Sequence, residues 1–202
     1  MVFSTPPHPS RIRLFQSRWM ELTTLTPFPV FLLAWMAILA GVATVAARHV
    51  APAPLLAGVA CGLVFWTLFE YAAHRFLFHL ELRSDWGRRL IFLMHENHHA
   101  DPADPLRSIM PLTVSLPLGA VIWGLSLLVC GGLGHAVFLG FGLGYLGYDT
   151  VHWAVHQMPM RGPIGARLKR HHLRHHYAGK DANYAITAIF WDRVFGTGLK
   201  RR

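Results

Sequence analysis

Charge is what this chain has least of. Only 14% of its 202 residues are Asp, Glu, Lys or Arg, against about 25% in an ordinary soluble domain. Acid is the scarcer sign, with 10 Asp and Glu against 19 Lys and Arg. A hydrophobic share of 53% excludes intrinsic disorder, which needs high charge and little apolar material. Cysteine is nearly absent. Cys61 and Cys130 both stand in apolar stretches, make neither a disulfide framework nor a metal or redox pattern, and read as packing residues. No cleavable signal sequence is evident, because the first apolar run starts nearly thirty residues in and is too long for an h-region. No repeat of fixed period is present.

What is there explains the missing charge. Four apolar stretches, residues 28–47, 51–70, 111–130 and 133–150, contain no charged side chain except Glu70 and Asp149 at their ends. A helix of ~20 residues at 1.5 Å per residue crosses a ~30 Å hydrocarbon layer, and lipid-embedded helices tolerate the Pro and Gly scattered through these runs. The expectation is an all-α integral membrane protein with four transmembrane helices. A soluble bundle is the weaker reading, since four such runs exceed what a 202-residue core needs. Residues 1–10 read as a disordered N-terminus and 11–202 as one domain. Residues 11–22 mix basic and apolar side chains like a helix lying at the membrane surface.

The net charge of +9 is then a matter of sidedness. Arg11, Arg13 and Arg18 precede the first span. Arg75, Arg83, Arg88, Arg89 and Arg107 lie between the second and third, and ten Lys and Arg follow the fourth. Only Arg48 stands on the other side. The positive-inside rule places both termini and the long middle link in the cytoplasm. Attraction to anionic head groups is a secondary reading. Nucleic-acid binding is not expected, because no fold module or aromatic–basic stripe supports it.

Histidine is the real excess, with 14 residues. His8, His49, His135 and His171 are set aside, His8 as inert and His171 as a supporting or surface residue. The other ten form four groups on the cytoplasmic side: His74 and His79; His95, His98 and His99; His152 and His156; His172, His175 and His176. On a helix, positions i, i+3 and i+4 share a face over an arc of ~100°. Ser84 and Asp85 are placed to cap a helix running to His99, and Pro163 to open one running to His176. His74 and His79 do not fit this pattern, since i and i+5 are ~140° apart on a regular helix. Either the helix breaks between them or the two rings address different metals. Imidazole is a common ligand for zinc, iron and copper. Ten are too many for one ion and suit two with about five each. A pH sensor would not need paired rings on one helical face.

The order H-x4-H, H-x2-H-H, H-x3-H, H-x2-H-H set against four spans resembles the membrane fatty acid hydroxylase and sterol desaturase superfamily. The phrases LFHLELRSDWGRRLIFLMHENHHADPADPLRSIMPL (77–112), YDTVHWAVHQ (148–157) and LKRHHLRHHYAGKDANYAITAIFWDRVFGT (168–197) are closest to its fatty acid 2-hydroxylase branch, and RLFQSRWMELTTLTPFPV (13–30) is similar to it as well. The resemblance implies a cytoplasmic helical cap holding a histidine-rich dimetal site. Its ligands carry over to His74, His79, His95, His98, His99, His152, His156, His172, His175 and His176. The eukaryotic 2-hydroxylases also carry a b-type cytochrome domain, for which this chain has no room. A separate electron donor is expected, such as a b-type cytochrome, a ferredoxin or a reductase.

The implied chemistry is hydroxylation of a lipid acyl chain next to the carboxyl. Side chains supply no oxidant for an alkyl C–H bond, so a redox metal is needed. The expected cofactors are two iron ions, with O2 as co-substrate; redox-inert zinc is a possible substitute in the same histidines. A sterol or carotenoid hydroxylase, a desaturase, and a metal-handling or pH-sensing membrane protein are the alternatives. A bacterial inner membrane is expected ahead of the endoplasmic reticulum.

Metal-bound imidazoles usually give their other N–H to a carboxylate or carbonyl. Asp149, one turn before His152, and Glu70, one turn before His74, are placed for this, with Asp101, Asp104 and Asp181 as alternatives. For each, a cap, turn or surface charge is an equal reading. Trp153 and Trp191 are candidates to line a substrate groove or to anchor at the interface. Arg107 is a candidate for a lipid head group or a topology marker.

Overall fold

The computed structural model describes residues 11–179 and 181–199. The expectations for residues 1–10 and for His8 lie outside them. The described residues are helical: α1 (Arg18–Leu22), α2 (Phe28–His49), α3 (Pro52–Ala72), α4 (Asp85–Ile91), α5 (Asn97–Ala100), α6 (Leu112–Cys130), α7 (Gly134–Gln157), α8 (Pro163–Ala178) and α9 (Trp191–Val194). Two π-helical turns interrupt the order, at Ala73–Phe78 and Phe92–Glu96. Pro29 and Pro163 stand in the first turns of α2 and α8, where a missing N–H costs nothing. Ser84 Oγ caps α4 by accepting from Gly87 N at 3.1 Å.

Three helical segments are long and apolar enough to cross a membrane: Phe28–His49, Pro52–Phe78 and Leu112–Gln157. The third folds back on itself. A short 3-10 turn, Gly131–Leu133, joins α6 to α7, and Gly131 takes φ +58, which a glycine accepts without strain. The two arms then pack side by side, with Trp123 stacked on Phe138 at 5.6 Å and Met110 N reaching Asp149 at 3.4 Å. The outward faces are apolar: Leu56, Val64, Leu128 and Val129 are 66–80% exposed. A helix that is hydrophobic all round belongs in lipid or a large core. Cys61 and Cys130 are exposed on this outer surface, which corrects their reading as packing residues.

α7 is the central helix. Its small residues let α3 approach until backbone meets backbone. A Cβ on Gly62 would stand 1.9 Å from Val137 O, and one on Gly140 would stand 2.0 Å from Val59 O. Such close approach is how helices associate in lipid, where the hydrophobic effect gives no help. α2 packs a stripe of Phe31, Trp35, Leu39, Val42 and Ala46 against the same helix. We expect Gly62→Ala to lower thermal stability by about 1–3 kcal/mol. Gly124→Ala, where the added methyl meets nothing within 4 Å, should be neutral in the same melt in detergent.

Candidate metal centre

The ten histidines of the four sequence groups gather at one end of the bundle and sort into two sets. The first is His74, His79, His95, His99 and His175; the second is His98, His152, His156, His172 and His176. Within each set, one nitrogen per ring lies within 4.8 Å of all the others. His152 and His156 stay together, but both H-x2-H-H groups divide. The arc of their helix explains this. From His95, His99 lies ~40° round one way and His98 ~60° the other. The i, i+4 pair therefore faces one set and the i+3 ring faces the other. In α8 the division is reversed: His172 and His176 join the second set, and His175 joins the first. Each motif spans both sets and ties them together.

The π turns resolve the puzzle of His74 and His79. Residues 73–78 widen into i→i+5 hydrogen bonding, which stacks positions that a regular helix would hold ~140° apart. The two Nε2 atoms are 3.2 Å apart and face the same set.

The nitrogen spacings fit metal ions. His74 Nε2 is 3.0 Å from His95 Nε2, His95 Nε2 is 3.0 Å from His99 Nε2, and His175 Nε2 is 3.1 Å from both His79 and His99. In the second set, His156 and His176 each stand 3.0 Å from His172. Hydrogen bonds cannot account for all of these contacts, because the five Nε2 atoms of the first set form a closed ring, and an odd ring cannot alternate donor and acceptor. His74 gives Nδ1–H to the Tyr184 carbonyl at 2.5 Å, and His175 gives Nδ1–H to the Ala182 carbonyl at 2.7 Å. A neutral imidazole has one proton, so their Nε2 atoms carry only lone pairs. Two ligands at ~2.1 Å from one ion and at right angles stand about 3.0 Å apart, which is the spacing seen. His98 is buried with neither nitrogen hydrogen-bonded, and His152 Nε2 is likewise buried and unpartnered. Such orphaned groups are rare without a reason, and a cation facing them is one.

Burial keeps these rings neutral. It pushes His95, His98 and His172 well below the ordinary histidine value, and the neighbouring imidazoles push the same way. Burial also lowers His175 and His176. The consequence for stability has a definite sign. Rings depressed in the fold take up protons on unfolding, so the unfolded chain binds more protons below about pH 6.5, the ordinary value. Metal-free protein should therefore melt at progressively lower temperature from pH 7 to pH 5. A melting temperature independent of pH in that window would contradict the buried, neutral set.

The expected carboxylate partners are elsewhere. Glu70 is buried, but its oxygens accept from Ile186 N and Thr187 N at 2.7 Å each and from the Thr187 hydroxyl. Asp149 faces Met110 N. Asp104 binds Arg11 at 2.6 Å, Asp101 ends α5, and Asp181 is exposed. The rings instead use backbone carbonyls: Tyr184 for His74, Ala182 for His175, and Ser108 beside His152. No residue type marks a carbonyl donor, so sequence could not have found them.

The segment supplying two of these carbonyls is held from both sides. Glu70 takes the N–H groups of 186 and 187, and Asp192 takes those of Tyr184 and Ala185 at 2.9 Å each. Asp192 also accepts from Thr197 Oγ1 at 2.7 Å and pairs with His171 at 2.9 Å. Against the upward push of burial, these bonds hold its carboxyl below the ordinary value. His171 thus lies outside both sets, fixed to Asp192. Asp192 is a residue that sequence reasoning missed.

An apolar pocket lies in the bundle next to the histidines, which border it without lining it. Trp35, Trp66, Phe69, Phe138, Phe141 and Tyr145 line its depth, and Ala73, Phe78, Met110 and Tyr148 its histidine end. Phe78 stacks on His95 at 5.2 Å, and Tyr148 lies 5.9 Å from His152. The tryptophans of the pocket are therefore Trp35 and Trp66. Trp153 instead stacks on Phe28 at 4.3 Å, and Trp191 donates to Thr67 Oγ1 at 3.2 Å. Arg107 is buried and paired with Glu21, which fastens the N-terminal segment to the 101–110 link. His49 and His135 stack on each other at the opposite end of the bundle.

A family model described as fatty acid hydroxylase matches residues 59–197. The dihydroceramide fatty acyl 2-hydroxylase FAH2 of Arabidopsis thaliana is 35% identical over 192 residues, which are 93% of this chain and 81% of that one. The ceramide very long chain fatty acid hydroxylase scs7 of Schizosaccharomyces pombe is 43% identical over 141 residues, 67% of this chain and 40% of that one. Among solved structures, full-length scs7p, with only its hydroxylase domain visible, superposes with a TM-score of 0.84 at 33% identity, covering 90% of this chain and 70% of that one. Similarity of this degree, over most of both chains in the first relative, identifies an enzyme rather than a metal carrier or pH sensor: the chain belongs to the fatty acid hydroxylase family.

Proposed function

We propose that this enzyme hydroxylates a lipid acyl chain at the carbon next to the carboxyl, using O2, two electrons and two iron ions held by the ten histidines. The observation that carries the reading is an apolar pocket whose end residues Phe78 and Tyr148 each touch a histidine, His95 of the first set and His152 of the second. A chain that enters tail first leaves its carboxyl end beside the histidines. A reaction in the middle of the chain would need them deeper among the aromatic side chains. The name of the Arabidopsis relative, a dihydroceramide fatty acyl 2-hydroxylase, supports the same position.

The protein's own residues bind, orient and exclude water. Trp35, Trp66, Phe138 and Phe141 grip the tail by apolar contact. Phe78 and Tyr148 flank the passage between the tail and the two histidine sets. The carbonyls of Tyr184 and Ala182 hold His74 and His175 in the tautomer that leaves Nε2 free to bind metal. Five nitrogens to an ion would leave a position open for O2 or substrate. Iron supplies the redox chemistry that zinc in the same histidines would lack.

The topology follows from the same frame. α6 and α7 make two crossings, giving four spans, with the histidine end and both termini cytoplasmic. The electron donor is a separate b-type cytochrome, ferredoxin or reductase. The relatives named above are eukaryotic, so they lend no support to a bacterial inner membrane over the endoplasmic reticulum.

Lipid mass spectrometry of cells expressing the wild type and His175→Ala tests the reaction. The expected result is one added oxygen at the second acyl carbon in the wild type only. An unchanged lipidome under aerobic, iron-replete expression would overturn the reading.

A further inference from the structure

A concave surface rich in arginine lies between α8 and the segment 189–199. α8 is two-faced. Its metal-facing side carries His172, His175 and His176, and no acidic residue occurs anywhere in Pro163–Ala178. Arg167, Arg170 and Arg174 fall at i, i+3 and i+7, within ~60° of one another and on the side away from those histidines. These three arginines form one wall of a cleft, Arg193 stands in the other, and His171, Asn183 and Asp192 are also in its lining. The one acid there, Asp192, is buried and already bonded to His171, Tyr184, Ala185 and Thr197. The cleft therefore presents positive charge to whatever enters it.

The lining also connects directly to the histidines. Asn183 follows Ala182, whose carbonyl is 2.7 Å from His175 Nδ1. Asp192 accepts from Tyr184 N, and the Tyr184 carbonyl is 2.5 Å from His74 Nδ1. One peptide unit and one hydrogen bond separate the cleft from His175, and a second short route leads to His74. Both routes end in the same set of five. A solvated basic face would have no reason to be wired in this way.

We propose that this cleft docks the reaction's electron donor, a protein with an acidic face around its redox group, and that electrons enter through the set containing His74 and His175. The proposal rests on the hydroxylase reading above. Each C–H converted to C–OH consumes one O2, two electrons and two protons and releases one water. A one-electron carrier therefore docks twice per product, is oxidised each time and leaves, while the protons come from water. Charge complementarity suits such brief, repeated encounters, because it raises association rates more than it lengthens residence.

The test is binding of two soluble acidic carriers, the haem domain of a b-type cytochrome and a plant-type [2Fe–2S] ferredoxin, to the full chain in neutral nanodiscs. At least one carrier should bind with a Kd that rises steeply with salt. Arg167→Glu with Arg170→Glu should raise that Kd at least tenfold, whereas Arg89→Glu, outside the cleft, should leave it within twofold. Arg193→Gln alone should raise it severalfold, which keeps the test open if the double variant misfolds. Metal content and product formed in a single turnover with chemically reduced protein should match the wild type in all variants. Salt-insensitive binding, no binding of either carrier, or an unchanged Kd in the variants would each overturn the proposal. So would variants that lose only their attachment to vesicles containing phosphatidylglycerol, which would make the cleft a lipid head-group site. If the wild type binds the carrier as described but hydroxylates no lipid, the hydroxylase reading fails and the docking surface stands.

Discussion

His98→Ala should remove one metal ion per chain and lower acyl hydroxylation by more than a hundredfold. His98 is the ring with both nitrogens buried and neither hydrogen-bonded, and an ion bound by the set would give one of them the partner it lacks. It is also central to its set, with its ring within 4.8 Å of the rings of His152, His156 and His176. Loss of a residue that merely supports a ligand already costs about 10–100-fold in affinity or activity, and loss of the ligand itself should exceed that. Metal analysis of fully loaded protein is the direct measurement. Two ions per wild-type chain and about one per variant chain are expected. A wild type that binds one ion when saturated would sink the two-metal assignment.

Glu70→Ala should be the most damaging change among residues outside the ten histidines. The carboxylate is buried and serves three donors from the opposite end of the chain: Ile186 N, Thr187 N and the Thr187 hydroxyl. Removing it strands them where water is scarce, at about 1–3 kcal/mol for each buried donor. The damage should spread to the metals, because residues 186 and 187 adjoin the segment whose carbonyls orient His74 and His175. Melting temperature and metal content should fall together, with the set of His74 and His175 losing its ion first. Glu70→Gln keeps one acceptor oxygen and should fall between the two. An alanine variant that melts like the wild type with two ions bound would show that Asp192 alone holds the segment.

His98 was visible as a ligand because H-x2-H-H repeats and because imidazole has few reasons to cluster. Its partners were not visible. Helical geometry gives an arc of ~100° for such a group, and that arc serves either one ion or two. Only the packing of α8 against the 95–99 segment decides that His98 faces His172 and His176 while His95 faces His74. Glu70 shows the opposite case. Its position one turn before His74 was legible and suggested a direct bond. The structure gives His74 a carbonyl instead and sends the carboxylate to the backbone beside it. Asp192 carries no local signal, because its partners, at 171, 184, 185 and 197, become neighbours only when the chain folds back.

Gly58 and Gly62 stand four apart on an apolar helix, a spacing that lets helices touch in lipid, and they pack on the small residues of α7. The i, i+5 spacing of His74 and His79 is irregular for an α-helix, and only the structure shows that a π turn brings both rings into one set.

The sequence by itself determined the composition of the site and its setting: apolar helices of spanning length, ten histidines at their ends, and basic residues beside them. These are consequences of what each residue type prefers as solvent or ligand, and local spacing is enough to express them. The tertiary structure alone decided which five rings gather in each set, which carbonyls set their tautomers, where the apolar pocket opens and which arginines share a cleft. Those depend on contacts between residues as many as 126 positions apart, and such contacts exist only once helices from the two halves of the chain have packed together.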